Sequence, residues 1–480
     1  MNEVDYSRKW WVMLAIAMGV FLGTIDGSIV NVALPTLVEE LETTFPVVQW
    51  VVLAYLLTLA TLVLGIGRLG DIVGKKLIYT WGFGVFTLGS VLAGLSPSVG
   101  WLIGARILQG LGAAMIFALG FAIITEAFPR EERGRALGIN GAIVSVGVVL
   151  GPTLGGLLIG SLGWRWIFFV NLPIGIVGTF TAIRYIPDVP PEGGERFDFL
   201  GSAVFLVTLL SFLLGLTFGQ THGFGHALPL ALLALAAVSL PAFVAVERHA
   251  EHPMLDLSLF RNRLVSVNLF AGWASFAAIG GVFILLPFYL ENVLGHSPME
   301  TGLLLASTPL ALGLSAPAAG TISDRIGPWP VILVGLSVLF ASYVLMISLD
   351  ASTTAVGYLL SMAPVGLGMG IFQSPNNSAI MGAVPPRRLG VTSGLLTITR
   401  ITGQLSGISI LGTVWASRVA AHAGARVEPS AAAARAQVLG LRETMVVSAA
   451  LVGMSLALAV WGRLRSGAHS NIDASAEGSR

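Results

Sequence analysis

The chain contains no cysteine among its 480 residues, which excludes disulfides, thiol nucleophiles and thiolate metal sites. Charge is almost as scarce. Asp, Glu, Lys and Arg make up 11% of the residues, against about 25% in a soluble domain, so a water-soluble globular fold is excluded. His222, His226 and His296 fall in loops at no metal-like spacing; they read as solvated, and no metal site is expected. No Gly-x-x-x-x-Gly-Lys-Ser/Thr stretch occurs, so no built-in nucleotide motor is indicated. The formal net charge is only +1 and the basic residues sit in loops, which leaves no patch for nucleic acid.

Apolar residues are what the chain has in quantity: 55% of the total, with a mean hydropathy of +0.85. They form long runs rather than the two-residue alternation of a barrel strand, so the expected class is an all-α polytopic membrane protein. About 20 apolar residues suffice to cross a bilayer core. Runs of that length lie at 11–34, 47–67, 77–95, 101–125, 136–159, 166–186, 199–218, 228–246, 265–290, 302–322, 331–349, 356–378, 389–416 and 445–461. These are fourteen expected transmembrane helices. The first is too long for a signal-peptide core and lacks a cleavage pattern, so it is read as a retained span.

Lys and Arg gather in the loops on the side of the N-terminus, from Arg8 and Lys9 to Arg463 and Arg465. That bias places both termini in the cytoplasm, and the cell membrane is the expected location. The opposite side holds only Arg165 and four arginines of one long loop, 417–444. The polar tail, 466–480, is expected to be disordered.

An internal repeat orders these runs. Gly67-Arg68-Leu69-Gly70-Asp71-Ile72-Val73-Gly74 follows the second run, and Gly320-Thr321-Ile322-Ser323-Asp324-Arg325-Ile326-Gly327 follows the tenth. Gly138, Gly147, Gly151 and Gly156 of the fifth run align with Gly394, Gly403, Gly407 and Gly412 of the thirteenth. Both matches jump by eight runs. The expected organisation is a six-helix bundle in 1–187, two inserted helices with linkers in 188–262, and a second six-helix bundle in 263–465. Parallel repeats of this kind rock about a site between them near the bilayer midplane.

The residue that stands out is Asp26, a carboxylate inside the first run. An acid at membrane depth is costly unless paired, hydrated or protonated, so it reads as functional. Arg106 is the other deep charge of the first half. At 1.5 Å per residue, Asp26 lies roughly 13 Å below Pro35 and Arg106 roughly 8 Å below Trp101. The two therefore share a depth and are able to pair. Such a pair either exchanges a proton or serves as a permanent structural link, and the sequence leaves both open. Arg400, in the thirteenth run, has no acid of matching depth and no assigned role.

Several stretches carry a family resemblance. Gly67–Lys76 resembles the loop signature of the major facilitator superfamily, and Arg106-Ile107-Leu108-Gln109-Gly110 its fourth-span motif. Gly147-Val148-Val149-Leu150-Gly151-Pro152-Thr153-Leu154-Gly155-Gly156 resembles the fifth-span motif of its proton-coupled exporters. Asp26–Pro35 and Trp164–Gly175 are similar to stretches of its fourteen-span drug–proton antiporter branch. The resemblance implies the major facilitator fold and proton antiport.

Each motif also has a physical reading. In the loop signature Gly67, Asp71, Gly74, Lys75 and Lys76, with Arg133 and Arg135 nearby, suit a latch between halves or a topology anchor. Gly147, Gly151 and Gly155 share one helix face and permit close helix approach, with Gly156 beside them, while Pro152 removes a backbone hydrogen bond. The cargo cavity is expected to be lined by Asp26, Gln49, Tyr55, Gln109, Trp273, Phe276, Gln373 and Asn377. One deep acid implies one proton per cycle and a monovalent cationic or neutral lipophilic cargo.

The sequence thus leads to a non-enzyme without cofactors, using protons as coupling ion, contacting the bilayer and a small lipophilic substrate, and expected as a monomer. Its expected function is proton-coupled efflux by alternating access. Two alternatives stay open: export or flipping of one lipid or metabolite, and a non-transporting membrane sensor or scaffold.

Overall fold

The computed structural model describes residues 8–129, 132–188, 198–223, 225–249, 257–383, 389–424 and 428–477, and nothing but helices and connections occurs among them. In chain order the helices are α1 (Lys9–Glu40), α2 (Phe45–Val48), α3 (Trp50–Val73), α4 (Lys75–Gly94), α5 (Val99–Ala127), α6 (Arg133–Leu162), α7 (Trp166–Phe169), α8 (Asn171–Tyr185) and α9 (Phe199–His222). They continue with α10 (Ala227–His249), α11 (Arg263–Phe288), α12 (Pro298–Leu305), α13 (Ser307–Ile326), α14 (Pro328–Met346), α15 (Ala355–Gly382), α16 (Leu389–Ala423) and α17 (Ala434–Glu477).

Local chemistry sets the helix ends. Ser98 and Thr354 accept hydrogen bonds from Trp101 N and Gly357 N, capping α5 and α15, and Ser297 with Glu300 forms a capping box that opens α12. Such caps satisfy donors that the first turn leaves unpaired. The two copies of the repeated loop end alike: Gly74 has φ 115° and Gly327 has φ 85°. Only glycine takes that backbone without strain, and it lets α3 turn at once into α4 and α13 into α14.

Thirteen helical stretches among the described residues are long and apolar enough to cross a membrane. The fourteenth expected span coincides with α16, whose apolar run is interrupted by Thr, Ser, Gln and Arg side chains. The packing repeats. α1 packs on α6, α8 and α5 as α11 packs on α16, α17 and α15; α3 and α4 both pack on α5 as α13 and α14 pack on α15. The two sets meet where α6 touches α12 and α13, where α1 touches α11, and where α3 touches α16. Of the inserted pair, α9 lies against α3 and α16 while α10 packs on α9. Thr217 of α9 bonds Ser409 of α16 at 3.1 Å, so the inserted pair is fastened across the seam between the sets.

The long stretch 417–444, whose Ala-rich, charged character suits a solvated hairpin or short helices, is largely helical: α16 continues to Ala423, α17 starts at Ala434, and a short turn at Pro429–Ala431 lies between. α17 runs on through 466–477. Extending an existing helix by an Ala- and Ser-containing stretch needs no new nucleus, and each added residue gains a backbone hydrogen bond. Residues 478–480 lie outside the described residues.

At the face opposite Lys9 the two sets are sealed. Phe45 of α2 packs edge-on against Phe288 of α11 and Trp415 of α16, with centroids 5.0 and 4.8 Å away. Its backbone N–H donates to Glu428 Oε1 at 2.7 Å. Leu34, Leu37 and Val48 around it are fully buried.

Candidate functional site

Asp26 and Arg106 meet in the middle of the first bundle, 0% and 1% exposed, with Arg106 Nη1 donating to Asp26 Oδ2. The other carboxylate oxygen accepts from Gln109 Nε2 at 3.1 Å and from Asn171 Nδ2 at 2.9 Å. Ser90 Oγ closes the shell by accepting from the same two amides, at 2.7 and 3.3 Å. Arg106 is held independently of the acid. Its Nε donates to Val51 O at 2.9 Å, its Nη1 to Gln109 Oε1 at 2.8 Å, and its guanidinium lies 4.3 Å from the centroid of the Tyr55 ring. Tyr55 in turn donates its hydroxyl to Gly23 O at 3.3 Å.

This geometry has a chemical consequence. A proton added to Asp26 cancels the Coulomb attraction, yet two amide donors remain on the carboxyl group. The freed guanidinium keeps a carbonyl, an amide oxygen and an aromatic face. Separation therefore strips neither group of all its partners, which is the usual reason buried pairs are hard to break.

On the opposite side of α1 from Asp26, Thr24 and Ser28 face the glycine helix, and Ile29 extends that contact around α1. A methyl at Gly147 would collide with Thr24, one at Gly151 with Ser28, and one at Gly155 would lie 2.9 Å from Ile29 Cγ1. Ser28 Oγ donates to Gly147 O at 3.3 Å. Gly156 turns to the other set and abuts Pro298, Met299 and Gly302 of α12, while Gly302 rests on the Pro152 carbonyl. Asp26, α1, α6 and α12 thus form one packed series that crosses from the first bundle to the second.

The second bundle repeats the packing without the charges. Gly403 and Gly407 press on Trp273 and Ala277 as Gly147 and Gly151 press on Thr24 and Ser28. The same register carries Asp26 to Ser275, a buried hydroxyl without a hydrogen-bond partner among the described residues. Gly110 and Gly112 of α5 correspond likewise to Gly366 and Gly368 of α15, which carries Arg106 to Met362 and Gln109 to Val365, both 0% exposed.

The expected cargo residues divide into two groups. Gln49, Tyr55 and Gln109 are buried in packing rather than facing open space: Gln49 sits beneath the distal seal, its Nε2 3.4 Å from Phe45 O. Trp273 and Phe276 on α11, and Gln373 and Asn377 on α15, are half-buried. Sequence reasoning missed Ser90 and Asn171. Asn171 was within reach, since it lies in the stretch Trp164–Gly175 that carries the family resemblance, whereas a lone serine in an apolar run gives no signal.

At the face of the N-terminus, Lys75 pairs with Glu126 of α5 at 2.8 Å and Lys9 with Glu132 at 2.7 Å. Both pairs stay within the first bundle. Gly67 and Gly70 pack on Ala118 and Leu119 of α5, and Lys76 has no ion-pair partner among the described residues. The side chains of Asp71, Arg133 and Arg135 lie outside the described residues, as does that of His222.

Known proteins agree with this architecture. A bacterial homologue of the human lysosomal transporter Spinster, solved inward-facing and unoccupied, superposes with a TM-score of 0.68 at 18% identity, covering 95% of this chain and 97% of that one. The chain is 37% identical over 411 residues to the riboflavin transporter RibZ of Clostridioides difficile, covering 85% of this chain and 89% of that protein. It is 35% identical over 418 residues to the multidrug resistance protein Stp of Mycobacterium tuberculosis, covering 87% and 77%. It is also 31% identical to the tetracenomycin C resistance and export protein of Streptomyces glaucescens, covering 86% and 77%. The family model described as Major Facilitator Superfamily matches residues 16–408. With its paired bundles, its repeated glycine packing and these relatives, the chain belongs to the Major Facilitator Superfamily, among relatives that include named multidrug-resistance transporters.

Proposed function

We propose that this membrane transporter exports a lipophilic compound in exchange for one proton per cycle, with Asp26 as the proton-carrying group and Arg106 as the partner that its protonation releases. The observation that carries this reading is the enclosed pair itself. It joins an acid and a guanidinium that each keep other partners when separated, at one end of a packed series reaching the second bundle through α1, α6 and α12. The counterpart positions Ser275, Met362 and Val365 carry no charge, which supports a single coupling site. The Phe45 seal corresponds to a state closed on the outer side, if the Lys/Arg bias sets the sidedness. Alternating access then requires that seal to part and the opposite end to close. A pH gradient supplies about 1.4 kcal/mol per unit for this exchange.

The test is transport in proteoliposomes with an imposed pH gradient and pyranine trapped inside. Wild type is expected to couple movement of riboflavin or an aromatic dye to proton flux, and Asp26→Asn to lose the coupling at equal incorporation. Transport that ignores the gradient in both proteins would sink the antiport mechanism. A second reading, export of one metabolite, is favoured by the similarity to a riboflavin transporter. It predicts movement of a single compound and indifference to a panel of dyes.

A further inference from the structure

On α16, Arg400 and Gln404 stand one turn apart and half-buried, and among the described residues neither side chain has a hydrogen-bond or ion-pair partner. Both sit on α16, which touches α3 of the first bundle, and Arg400 is near enough to Tyr55 of α3 for the two to interact electrostatically. The charges around it do not balance it. Asp26 is occupied by Arg106, Gln109 and Asn171, and Tyr55 donates its proton to Gly23 O. The matching positions of the second bundle are Ser275, Met362 and Val365. A guanidinium does not shed its proton in proteins, unlike a lysine ammonium, and it offers five donors in a planar fork suited to a carboxylate. Left half-buried without an acceptor among the described residues, such a group is costly. Half-buried aromatic residues are close by: Gly403, between Arg400 and Gln404, packs on the Trp273 carbonyl and the Phe276 Cβ.

We propose that Arg400 and Gln404 dock the acidic end, a carboxylate or phenolate, of an aromatic cargo whose rings lie against Trp273 and Phe276. The assignment rests on the transport reading above and specifies the cargo's charge. It revises the expectation of a cationic compound, for which Asp26 was the only deep anion and which the structure pairs with Arg106. An anion leaving while a proton enters moves positive charge inward twice, so an inside-negative membrane potential drives both steps.

The experiment uses purified full-length protein in detergent with two dyes that share a xanthene ring system, anionic fluorescein and cationic rhodamine 123. Binding is read by fluorescence anisotropy without any proton gradient. Wild type is expected to bind fluorescein at least tenfold more tightly than rhodamine 123. Arg400→Gln should weaken fluorescein at least tenfold and leave rhodamine 123 no weaker, while Arg400→Lys, which keeps the charge but loses the planar fork, should retain a preference for fluorescein that is smaller than the wild type's. Equal or tighter binding of rhodamine 123 by wild type, absence of fluorescein binding, or unchanged fluorescein affinity in Arg400→Gln would each overturn the proposal. Should Arg400→Gln fail to elute as a single species, the wild-type preference and Arg400→Lys decide. Because no gradient is used, failure here leaves Asp26-dependent antiport standing, and failure of antiport leaves the charge preference standing.

Discussion

Arg106 satisfies Asp26, and the second bundle shows what the same packing looks like without either charge. Removing one partner of a buried pair leaves the other uncompensated and costs about 3–5 kcal/mol, whereas replacing both with well-packed neutral groups is often harmless. Arg106→Ala is therefore expected to lower the unfolding temperature of the purified protein by several degrees. The double variant Asp26→Ser with Arg106→Met, which copies Ser275 and Met362, should recover most of that loss while remaining uncoupled from protons. Thermal unfolding of the three proteins checks this, and a double variant less stable than Arg106→Ala would contradict it. The pair was legible in the chain because charges at membrane depth are few. Its shell was not: Gln109 was named for the cargo, yet both ends of its amide are spent on Arg106, Asp26 and Ser90. A polar residue on a helix faces a neighbour, a cap or a cavity according to a rotation that sequence spacing leaves open.

At the scale of helices, the glycines of α6 and α16 behave as one repeated device. Each removes a side chain at the point where the helix crosses α1 or α11, and close approach in lipid depends on such small residues. Gly151→Ala drives a methyl into Ser28, and Gly407→Ala one into the Ala277 carbonyl. Overpacking of this kind costs about 1–3 kcal/mol, so both variants should unfold at lower temperature and transport more slowly. Gly84→Ala is the control, since nothing lies within 4 Å of the added carbon, and it should leave both measurements unchanged. The glycine face was readable from spacing alone. Its two destinations were not, because only the crossing angles send Gly151 toward α1 and Gly156 toward the opposite bundle.

Across the whole molecule, the seam between the bundles is shut at one end by Phe45, Phe288 and Trp415. The absence of cysteine makes this seal easy to test by single-cysteine labelling. A cysteine at Leu37, which is fully buried beside the seal, should react slowly with a water-soluble maleimide. Adding Phe45→Ala removes the ring that bridges the bundles, and labelling should then rise at least tenfold; an unchanged rate would show that another contact holds the seam. The inserted pair belongs to this scale too, since α9 reaches both α3 and α16 and bonds Ser409 through Thr217.

By itself the sequence determined the membrane class, the repeat, the loop glycines that need positive φ, and the depth shared by Asp26 and Arg106. These depend on hydropathy, on the steric freedom of glycine and on a rise per residue that every helix obeys. The tertiary structure alone decided which polar side chains spend their hydrogen bonds on one another and which are left without such partners. Arg400 shows why: the chain alone offers no acid of matching depth, but only the arrangement of the surrounding helices shows that, among the described residues, neither it nor Gln404 has a hydrogen-bond or ion-pair partner.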